Sequence, residues 1–504
     1  MKNELKAGAA LNYVVLVLNT LVNLLYTPYM LRMMGQSEYG LYSLVASVIG
    51  YLTILDLGFG SAIVRYTAKF RAEGKSDEQY RMFGMFLLLY SGIGLIAFFV
   101  GLCLYFNVDN IFGDTMAVLE LSRARTMMLI LIFNLAFTFP MSIFGSIMSA
   151  YERFVFPKII NIVRIILNTG IMILLLSYGY KAIAMVTLMT IFNVLTLIIN
   201  YIYCKKILHI KIIYGHFQWG FLAEVSVYSL WIFLNAIMDK IYWSTGQFVL
   251  GAVAGTIAVS VYAVAIQLQS MYLQFSVAIS SVFLPKVTGM VTLKASDKEL
   301  SDLFIRTGRI QNIIMSFILF GFIIFGQQFI NLWAGDNYSN AYYMTIAFFL
   351  SLYIPLIQNM GITILQARNQ MKFRSVLYIV LAFIALLLEI VLAKIWGGIG
   401  CALAVSLALI IGQGLVMNIY YQRVQRINII KFWKEIVKMD FFPVVLTVLF
   451  IYVTKQFICI SDWLSLIAGV VTYSLLYAIA MVLFSMNEYE KNLVLKPIIR
   501  KILR

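Results

Sequence analysis

Residues 39–75 read YGLYSLVASVIGYLTILDLGFGSAIVRYTAKFRAEGK, and the architecture follows from the change of character inside this stretch. Its first half is apolar and long enough to cross a bilayer as a helix. Its second half is amphipathic, with basic residues at helical spacing from Arg65 onward. The glycine-rich segment 56–60, DLGFG, separates the halves. The stretch therefore predicts a helix that crosses the membrane, loosens at a joint and continues as a basic cytoplasmic arm.

The composition identifies the whole chain as a polytopic membrane protein. The chain has 504 residues, of which 62% are hydrophobic and only 12% are charged. Soluble domains carry about 25% charged residues. A mean hydropathy of +0.91 over this length excludes a single soluble core. The formal net charge of +16 would suggest nucleic acid in a soluble protein, but here the charge lies in loops between apolar segments.

The apolar segments predict fourteen membrane-spanning helices. The first apolar run, Ala7–Leu31, is too long for the apolar part of a signal peptide and lacks a small-residue cleavage site. We therefore expect it to be retained as the first span. The predicted spans are 8–32, 38–60, 82–106, 124–150, 157–178, 182–204, 219–250, 257–284, 308–330, 340–366, 374–396, 399–422, 441–457 and 463–486.

The distribution of basic residues predicts that both termini are cytoplasmic. With this orientation, thirty of the 38 basic residues fall in cytoplasmic segments. Loops on the inner side of a membrane carry an excess of Lys and Arg, so this asymmetry favours the orientation. The external side receives Arg32, Arg123, Arg125, Lys181, Lys394 and Lys455. We expect Arg123 and Arg125 to be interfacial rather than substrate-binding.

The spacing of spans and basic loops predicts two parallel repeats of six helices. Tyr42 and Tyr262 correspond at an offset of 220 residues, and each precedes a basic loop. We expect an N-terminal six-helix lobe at 1–215, a C-terminal six-helix lobe at 216–438, and a C-terminal helix pair with a cytoplasmic tail at 439–504. Such repeats usually build a central cavity that opens alternately to each side.

Polar stripes on the spans indicate a wet, amide-rich cavity. Small polar residues also hold helices together, at about 1 kcal/mol or less each, and any single amide fits that reading. The recurrence of amides on most spans of the first repeat favours a cavity for a ligand rich in hydroxyl groups. The candidate cavity residues are Asn19, Asn23, Asn134, Asn161, Arg164, Asn168, Lys240 and Gln267.

Charged residues inside the spans are the strongest functional candidates, because burying a charge in a membrane is costly. Arg164 lies between Asn161 and Asn168 and could grip a diphosphate with its forked guanidinium, or reach outward to the headgroups. Asp239 is next to Lys240, so the two side chains point in different directions, and Glu389 lies alone in its span, where it could bind a proton. Asp56 and Arg65 are candidates for a gating motif at the cytoplasmic end. Asp56 could equally cap a helix, and Glu389 could make a structural hydrogen bond.

Motifs of soluble enzymes are missing from the sequence. There is no phosphate-binding Walker loop and no GxSxG, and His209 and His216 lack partners at zinc-ligand spacing. The four cysteines lie far apart and predict packing residues rather than disulfides. An acidic outer loop with Asp109, Asp114 and Glu120 leaves a membrane glycosyltransferase as an alternative. We expect no enzymatic activity, no cofactor and no metal.

Three segments carry a resemblance to a known family. They are MKNELKAGAALNYVVLVLNTLVNLLYTPYMLRMMGQSEYGLYSL at residues 1–44, LDLGFGSAIVRYTAKFRAEGK at 55–75 and YERFVFPKIINIVRIILN at 151–168. The chain resembles the bacterial polysaccharide (O-antigen type) flippases of the multidrug/oligosaccharidyl-lipid/polysaccharide exporter superfamily. The resemblance covers nearly the whole chain. It implies two six-helix lobes in a V shape with an additional C-terminal helix pair.

The resemblance also implies a function. Flippases of this kind move undecaprenyl-pyrophosphate-linked oligosaccharide from the cytoplasmic to the outer leaflet of the bacterial cytoplasmic membrane. It implies that a basic cavity residue receives the pyrophosphate, for which Arg164 is the best candidate here. It further implies coupling to H⁺ or Na⁺, for which Asp239 and Glu389 are the candidate residues, and cooperation with the polysaccharide polymerase machinery. Lipid-linked peptidoglycan precursor flippases and ion-coupled drug exporters remain alternatives, although drug exporters usually have twelve spans.

Overall fold

A computed structural model describes residues 2–215, 219–280, 287, 289–291, 293, 295–368, 370–457 and 460–492. Within these ranges the chain forms helices and short connections, and no residue lies in a β-strand. The all-helical class predicted from the sequence is confirmed. His216 and one of the four cysteines, Cys459, lie outside the described residues. Contacts divide the chain into two compact units, Met1–Ala263 and Val264–Arg504.

The first unit contains the helices of the predicted first repeat. Helix α6 packs against α4 and α8, while α1 packs along α7. The helix bounds are α1 Lys2–Met34, α2 Gln36–Leu52, α3 Phe59–Ala72, α4 Ser76–Phe106, α5 Val108–Phe112, α6 Val118–Ala150, α7 Val155–Ser177, α8 Ala182–Lys206 and α9 Trp219–Ser280. The last of these helices continues into the second unit.

Helices α1 and α7 run in the same direction along their whole length. Near one end Arg153, just before α7, donates to Glu4 of α1 at 2.7 Å. This hydrogen bond raises the pKa of Arg153. Near the other end, the Tyr29 hydroxyl donates to the Ile173 carbonyl at 3.2 Å. The start of α1 is thus bonded to the start of α7, and the end of α1 to the end of α7. Residues that lie the same fraction of the way along the two helices are therefore at a similar depth in the membrane.

The predicted joint between α2 and α3 is present. After Leu52 the chain tightens into a 3₁₀ turn at Thr53–Asp56. Leu57 and Gly58 then take left-handed conformations, with φ of 53° and 72°. Helix α3 follows as an amphipathic helix that buries Phe59, Ala62, Ile63, Tyr66 and Thr67 and exposes its basic residues. This supplies the basic arm that the sequence predicted.

Residues 207–215 form an extended strap that crosses α4 instead of a loose loop. The Ile213 amide donates to the Tyr80 carbonyl at 3.3 Å. At the crossing point α4 has Gly84, where an added Cβ would lie 2.3 Å from the Ile213 carbonyl oxygen. Only glycine allows this approach, because that distance is well inside van der Waals contact. The strap is therefore fixed to α4 before the chain reaches α9.

The second unit contains the remaining helices. Their bounds are α10 Asp297–Trp333, α11 Ala341–Ile357, α12 Asn359–Ala367, α13 Lys372–Leu409, α14 Met417–Arg423, α15 Ile429–Phe457 and α16 Trp463–Ala480. Two π-helical turns, Ile410–Val416 and Met481–Ser485, continue α13 and α16. Helices α15 and α16 pack on α10 through a cluster of rings from Phe325, Phe450, Tyr473 and Tyr477.

Two long helices each fold back on themselves at a glycine. In α9 the reversal is at Gly255, with φ 79° and ψ −177°, a conformation that essentially only glycine adopts. The two arms touch, since a Cβ on Gly246 would lie 2.4 Å from the Tyr262 hydroxyl oxygen. In α13 the reversal is at Gly397, with φ 55° and ψ −134°. There a Cβ on Gly400 would meet the Leu392 carbonyl oxygen at 2.1 Å.

These reversals bear on the number of membrane spans. Among the described residues, 11 helical segments are long and apolar enough to cross a membrane, or up to 12 if the bent pair α11 and α12 forms one span. One of these segments, Ala236–Val277, has 42 residues and would measure about 63 Å if straight, twice the apolar thickness of a bilayer. The protein is thus a multi-pass membrane protein. The count of fourteen and the lobe limits 1–215, 216–438 and 439–504 stay predictions.

Candidate functional site

Helix α7 carries the central group of the candidate site, with three polar side chains on one face. Arg164 is half-buried and donates through Nη2 to Asn161 Oδ1 at 2.8 Å. One turn further on, the Asn168 side-chain oxygen is buried and accepts no hydrogen bond from the described residues. Steps of three and four residues place all three on one side of the helix.

The guanidinium of Arg164 has no carboxylate partner among the described residues. Ion pairs found there include those of Lys75, Arg123, Arg125, Arg153, Arg309, Arg368, Arg426 and Lys431. An arginine inside a membrane segment is costly unless it faces water, a ligand or a partner. A role of Arg164 in binding an anionic ligand stays a prediction.

Helix α1 contributes two further candidates at the same depth as the α7 group. The parallel alignment of α1 with α7 brings Asn19 to about the level of Arg164 and Asn23 to about the level of Asn168. Both asparagines of α1 are half-buried. The neighbouring Tyr26 has a buried hydroxyl oxygen without a hydrogen-bond partner in the described ranges. The two packed helices α1 and α7 thus carry five of the residues predicted to line the cavity, with those of α1 at about the depth of those of α7.

Asn134 makes a contact between helices. Asn193 of α8 donates to Asn134 Oδ1 and to Thr138 Oγ1 of α6, each at 2.8 Å. Such amide bonds between helices hold membrane bundles together. The Asn200 side-chain oxygen, two turns further along α8, is buried without a partner among the described residues. A role for Asn134 in substrate binding stays a prediction.

Lys240, Asp239 and Gln267 belong to α9 and not to α1 or α7. The Lys240 ammonium of α9 approaches α2, where it would lie 3.5 Å from a Cβ placed on Gly50. Nearby, the hydroxyls of Tyr51 and Thr245 hydrogen-bond across the same two helices. Asp239 is exposed. Gln267 is half-buried and belongs to the second unit.

Glu389 of α13 is completely buried in the second unit. Its exposed fraction is 0%, and neither carboxylate oxygen accepts a hydrogen bond from the described residues. The thiol of Cys401, beyond the reversal at Gly397, is close enough for electrostatic interaction. A buried carboxylate without donors is stable only when it binds a proton or a cation. This environment suits the predicted coupling role.

Asp56 and Arg65, the gating candidates at the joint between α2 and α3, contact different residues. Asp56 interacts with the hydroxyl of Tyr90 on α4. The Arg65 guanidinium is exposed and lies 5.9 Å from the centre of the Tyr66 ring. On the same helix, Arg71 packs 4.1 Å from the ring centre of Tyr151 and donates to the Ala150 carbonyl. A gating role for Asp56 and Arg65 stays a prediction.

Sequence reasoning missed a polar group in the second unit. Asn312 of α10 donates to Asp440 Oδ1 of α15 at 2.7 Å, and the Tyr353 hydroxyl of α11 bonds both side chains. A thirteenth span that begins at residue 441, as predicted from the sequence, leaves Asp440 in a loop, whereas the structure places it inside α15. The available signal was the Asn312 amide in an apolar span, which the sequence analysis did not single out.

Comparison with known proteins agrees with this architecture. A family model described as "Polysaccharide biosynthesis protein" matches residues 5–290. The "Uncharacterized membrane protein EpsK" of Bacillus subtilis (strain 168) is 22% identical over 511 residues, which cover 96% of both chains. The "Putative O-antigen transporter" of Shigella flexneri is 20% identical and covers 80% of this chain and 94% of its own length.

Solved structures of transporters share the fold. "Lipid II flippase MurJ, inward closed conformation" matches with a TM-score of 0.71 at 19% identity, covering 94% of this chain and 97% of that one. An inward-facing multidrug resistance MATE family transporter of the MOP superfamily matches with a TM-score of 0.64 at 13% identity. That match covers 81% of this chain and 98% of the transporter. The resemblance drawn from the sequence is confirmed.

Proposed function

The chain belongs to the polysaccharide biosynthesis protein family, and from that premise we propose that it is a flippase for undecaprenyl-pyrophosphate-linked oligosaccharide. In this proposal the lipid-linked glycan moves from the cytoplasmic to the outer leaflet for the synthesis of a cell-surface polysaccharide. The observation that carries the proposal is Arg164, a half-buried cation in a membrane helix without a carboxylate partner among the described residues.

Arg164 suits the diphosphate end of this substrate. A guanidinium can donate two parallel hydrogen bonds to phosphate oxygens, and charge-assisted bonds of this kind are roughly twice as strong as neutral ones. Its bond to Asn161 uses one nitrogen, Nη2, and fixes the orientation of the planar group. Asn168 and the α1 asparagines Asn19 and Asn23 supply amides at nearby depths.

The amides suit the sugar part of the substrate. An amide both donates and accepts hydrogen bonds, so it matches a ligand rich in hydroxyl groups. The buried oxygens of Asn168, Asn200 and Tyr26 can accept hydrogen bonds from such a ligand. Drug exporters handle apolar cations, for which a buried arginine is unfavourable because like charges repel.

We propose that transport proceeds by alternating access and is coupled to an ion. Glu389 is the better of the two candidate coupling groups, because it is completely buried without hydrogen-bond donors from the described residues. Asp239 is exposed. Binding of H⁺ or Na⁺ by Glu389 would remove an uncompensated charge from the membrane interior.

A lipid-linked peptidoglycan precursor flippase is the second candidate, favoured by the match over 94% of the chain to the fold of MurJ. Both candidates translocate a polyprenyl diphosphate that carries sugars, so Arg164 fits either. An enzyme that builds or polymerises the glycan is a third and weaker reading.

The lipid-linked intermediates of a deletion strain test the proposal. Loss of a flippase leaves finished lipid-linked oligosaccharide on the inner leaflet, where an externally added glycosidase or lectin cannot reach it. An incomplete oligosaccharide would favour an enzyme. Finished but unpolymerised oligosaccharide on the outer leaflet would favour a polymerase. A deletion that strands the peptidoglycan precursor inside would favour the second candidate.

A further inference from the structure

A cavity of about 650 Å³ lies in the first unit where α2, α6 and α8 begin. Charged side chains line one part of it: Glu38 of α2, Arg123 of α6 and Lys181, which precedes α8. The wall along α8 is apolar, with Ala184, Leu188 and Ile191 on one helical face. The cavity therefore joins a charged rim to a hydrocarbon wall.

The charges at this rim are unusual for the side of the membrane on which the predicted topology places it. Only six basic residues are expected on the external side, and two of them, Arg123 and Lys181, line this one cavity. Arg123 pairs with Glu38, whose side chain is 8% exposed. Arg125, two residues further along α6 and therefore on a different face, pairs with Asp109 and does not line the cavity. Lys181 makes no ion pair with the described residues.

We infer that this cavity is an exit site for the diphosphate group of the lipid-linked substrate at the external leaflet. The inference rests on the proposed function in taking this end of the unit as external and in the identity of the lipid. It adds a second anion site to that of Arg164, with Arg123 and Lys181 as the cations and the α8 wall as the contact for the hydrocarbon chain. For Arg123 it replaces the purely interfacial role expected from the sequence with a substrate-binding one.

The ion pair of Arg123 with Glu38 gives this site the properties of an exit. A diphosphate that binds Arg123 must replace Glu38, which is nearly buried and loses its partner. The Arg123 side chain is 37% exposed, so the pair is only partly buried, but separating it leaves the nearly buried Glu38 carboxylate without its cation and consumes part of the binding energy. Arg123 therefore holds the diphosphate less tightly than a cation without a carboxylate partner, and the carboxylate of Glu38 is in place to displace it.

Acylation of lysines by a water-soluble amine reagent tests the site. The full chain is purified in detergent with neutral lipid, and farnesyl diphosphate serves as the probe. Since only the free site reacts, a probe concentration about ten times its Kd should slow acylation of Lys181 about tenfold. Lys394 is exposed, lies outside the cavity and is an internal reference in the same sample. Peptide mass spectrometry reads both lysines.

Three variants separate binding from an effect on folding. Arg123→Gln should abolish the protection of Lys181, while the matched change Arg125→Gln on the same helix should preserve it. Glu38→Gln should lower the farnesyl diphosphate concentration needed for half-protection, because Arg123 no longer has to leave a carboxylate. A decrease supports the exchange, since a variant that merely loosens the fold cannot bind more tightly. An unchanged or increased concentration for Glu38→Gln would overturn the exchange.

The remaining outcomes are equally clear. Unprotected Lys181, or equal slowing of Lys181 and Lys394, overturns the site. Protection by phosphatidylglycerol but not by farnesyl diphosphate assigns the cavity to a phospholipid headgroup and overturns the exit site. The test requires no transport, so it can fail while the result for Arg164 still supports the proposed function, and it can succeed when the Arg164 result does not.

Discussion

Arg309 of α10 forks onto both carboxylate oxygens of Glu490. Nε lies 2.6 Å from Oε1 and Nη2 lies 2.9 Å from Oε2. The same guanidinium also bonds the Glu435 carboxylate at 3.0 Å and the Ser485 carbonyl at 3.0 Å. Arg309 is 5% exposed and Glu490 is fully buried. One side chain thus ties the C-terminal helices to the body of the second unit.

The first prediction concerns this tie. Arg309→Gln leaves the Glu490 carboxylate buried without a cation, so the free energy of unfolding should fall by about 3–5 kcal/mol. Unfolding in mixed detergent measures it. The double variant Arg309→Met with Glu490→Leu should recover most of the loss, because the uncompensated charge is gone. Lys431→Gln, which breaks an exposed pair with Asp302, is the control and should change little. Equal losses in the double variant and in Arg309→Gln would contradict the account.

The second prediction concerns Arg164 and the diphosphate. Each charge-assisted hydrogen bond contributes about 1.5–3 kcal/mol, so Arg164→Ala should lower transport at least tenfold, to about a hundredth if both bonds are lost. Arg164→Lys should keep the charge but lose the fork, and should fall between. Transport is normalised to the amount of protein in the membrane. Lys158→Ala, on a different face of the same helix, is the matched control.

If lysine works as well as arginine and alanine only lowers abundance, Arg164 reaches the headgroups instead. Full activity of Arg164→Ala removes it from the site.

The third prediction concerns Glu389 as the coupling group. Glu389→Gln should preserve folding, because it replaces a buried carboxylate with a neutral group of the same shape. In reconstituted vesicles it should make transport independent of an imposed H⁺ or Na⁺ gradient. Asp239→Asn should retain that dependence. A gradient response that survives in Glu389→Gln and disappears in Asp239→Asn would assign the coupling to α9.

The fourth prediction concerns topology. Single cysteines at Ser76 and Ala295, in a background without the four native cysteines, should react only with reagents that enter the cytoplasm. The reason is the division of basic residues, thirty on one side and six on the other. A membrane-impermeant maleimide on intact cells checks both positions, with permeabilised cells as the positive control. Labelling of either cysteine from outside reverses the orientation.

Much of the fold was readable in the sequence because its signals are local. The apolar lengths gave the helices, and DLGFG gave the joint between α2 and α3, where Leu57 and Gly58 take left-handed conformations. The sequence does not predict that Asn19 and Arg164 lie at the same depth. That alignment depends on the contacts of Glu4 and Tyr29 with a helix about 145 residues away in the chain. Helix ends were also misplaced: α15 begins at Ile429, so Asp440 belongs to it.

The candidate site divided in the same way. Arg164, Asn161 and Asn168 share one helix, so their common face followed from spacing alone. The partner of Asn134 on α8 and the approach of Lys240 to Gly50 are long-range contacts that no local pattern encodes. The cavity lined by Glu38, Arg123 and Lys181 combines residues near the beginnings of α2, α6 and α8. In the sequence these three charges are far apart, so no local pattern indicates that they meet.

The strap at residues 207–215 has a mechanical consequence. A connection of this length between α8 and α9 could act as slack that absorbs displacement of the helix it leads to. The bond between Ile213 and Tyr80, and the close passage over Gly84, remove most of that slack. A displacement of the strap at Ile213 is therefore transmitted directly to α4. A side chain at position 84 would push the strap away from α4. The strap would then move independently of that helix.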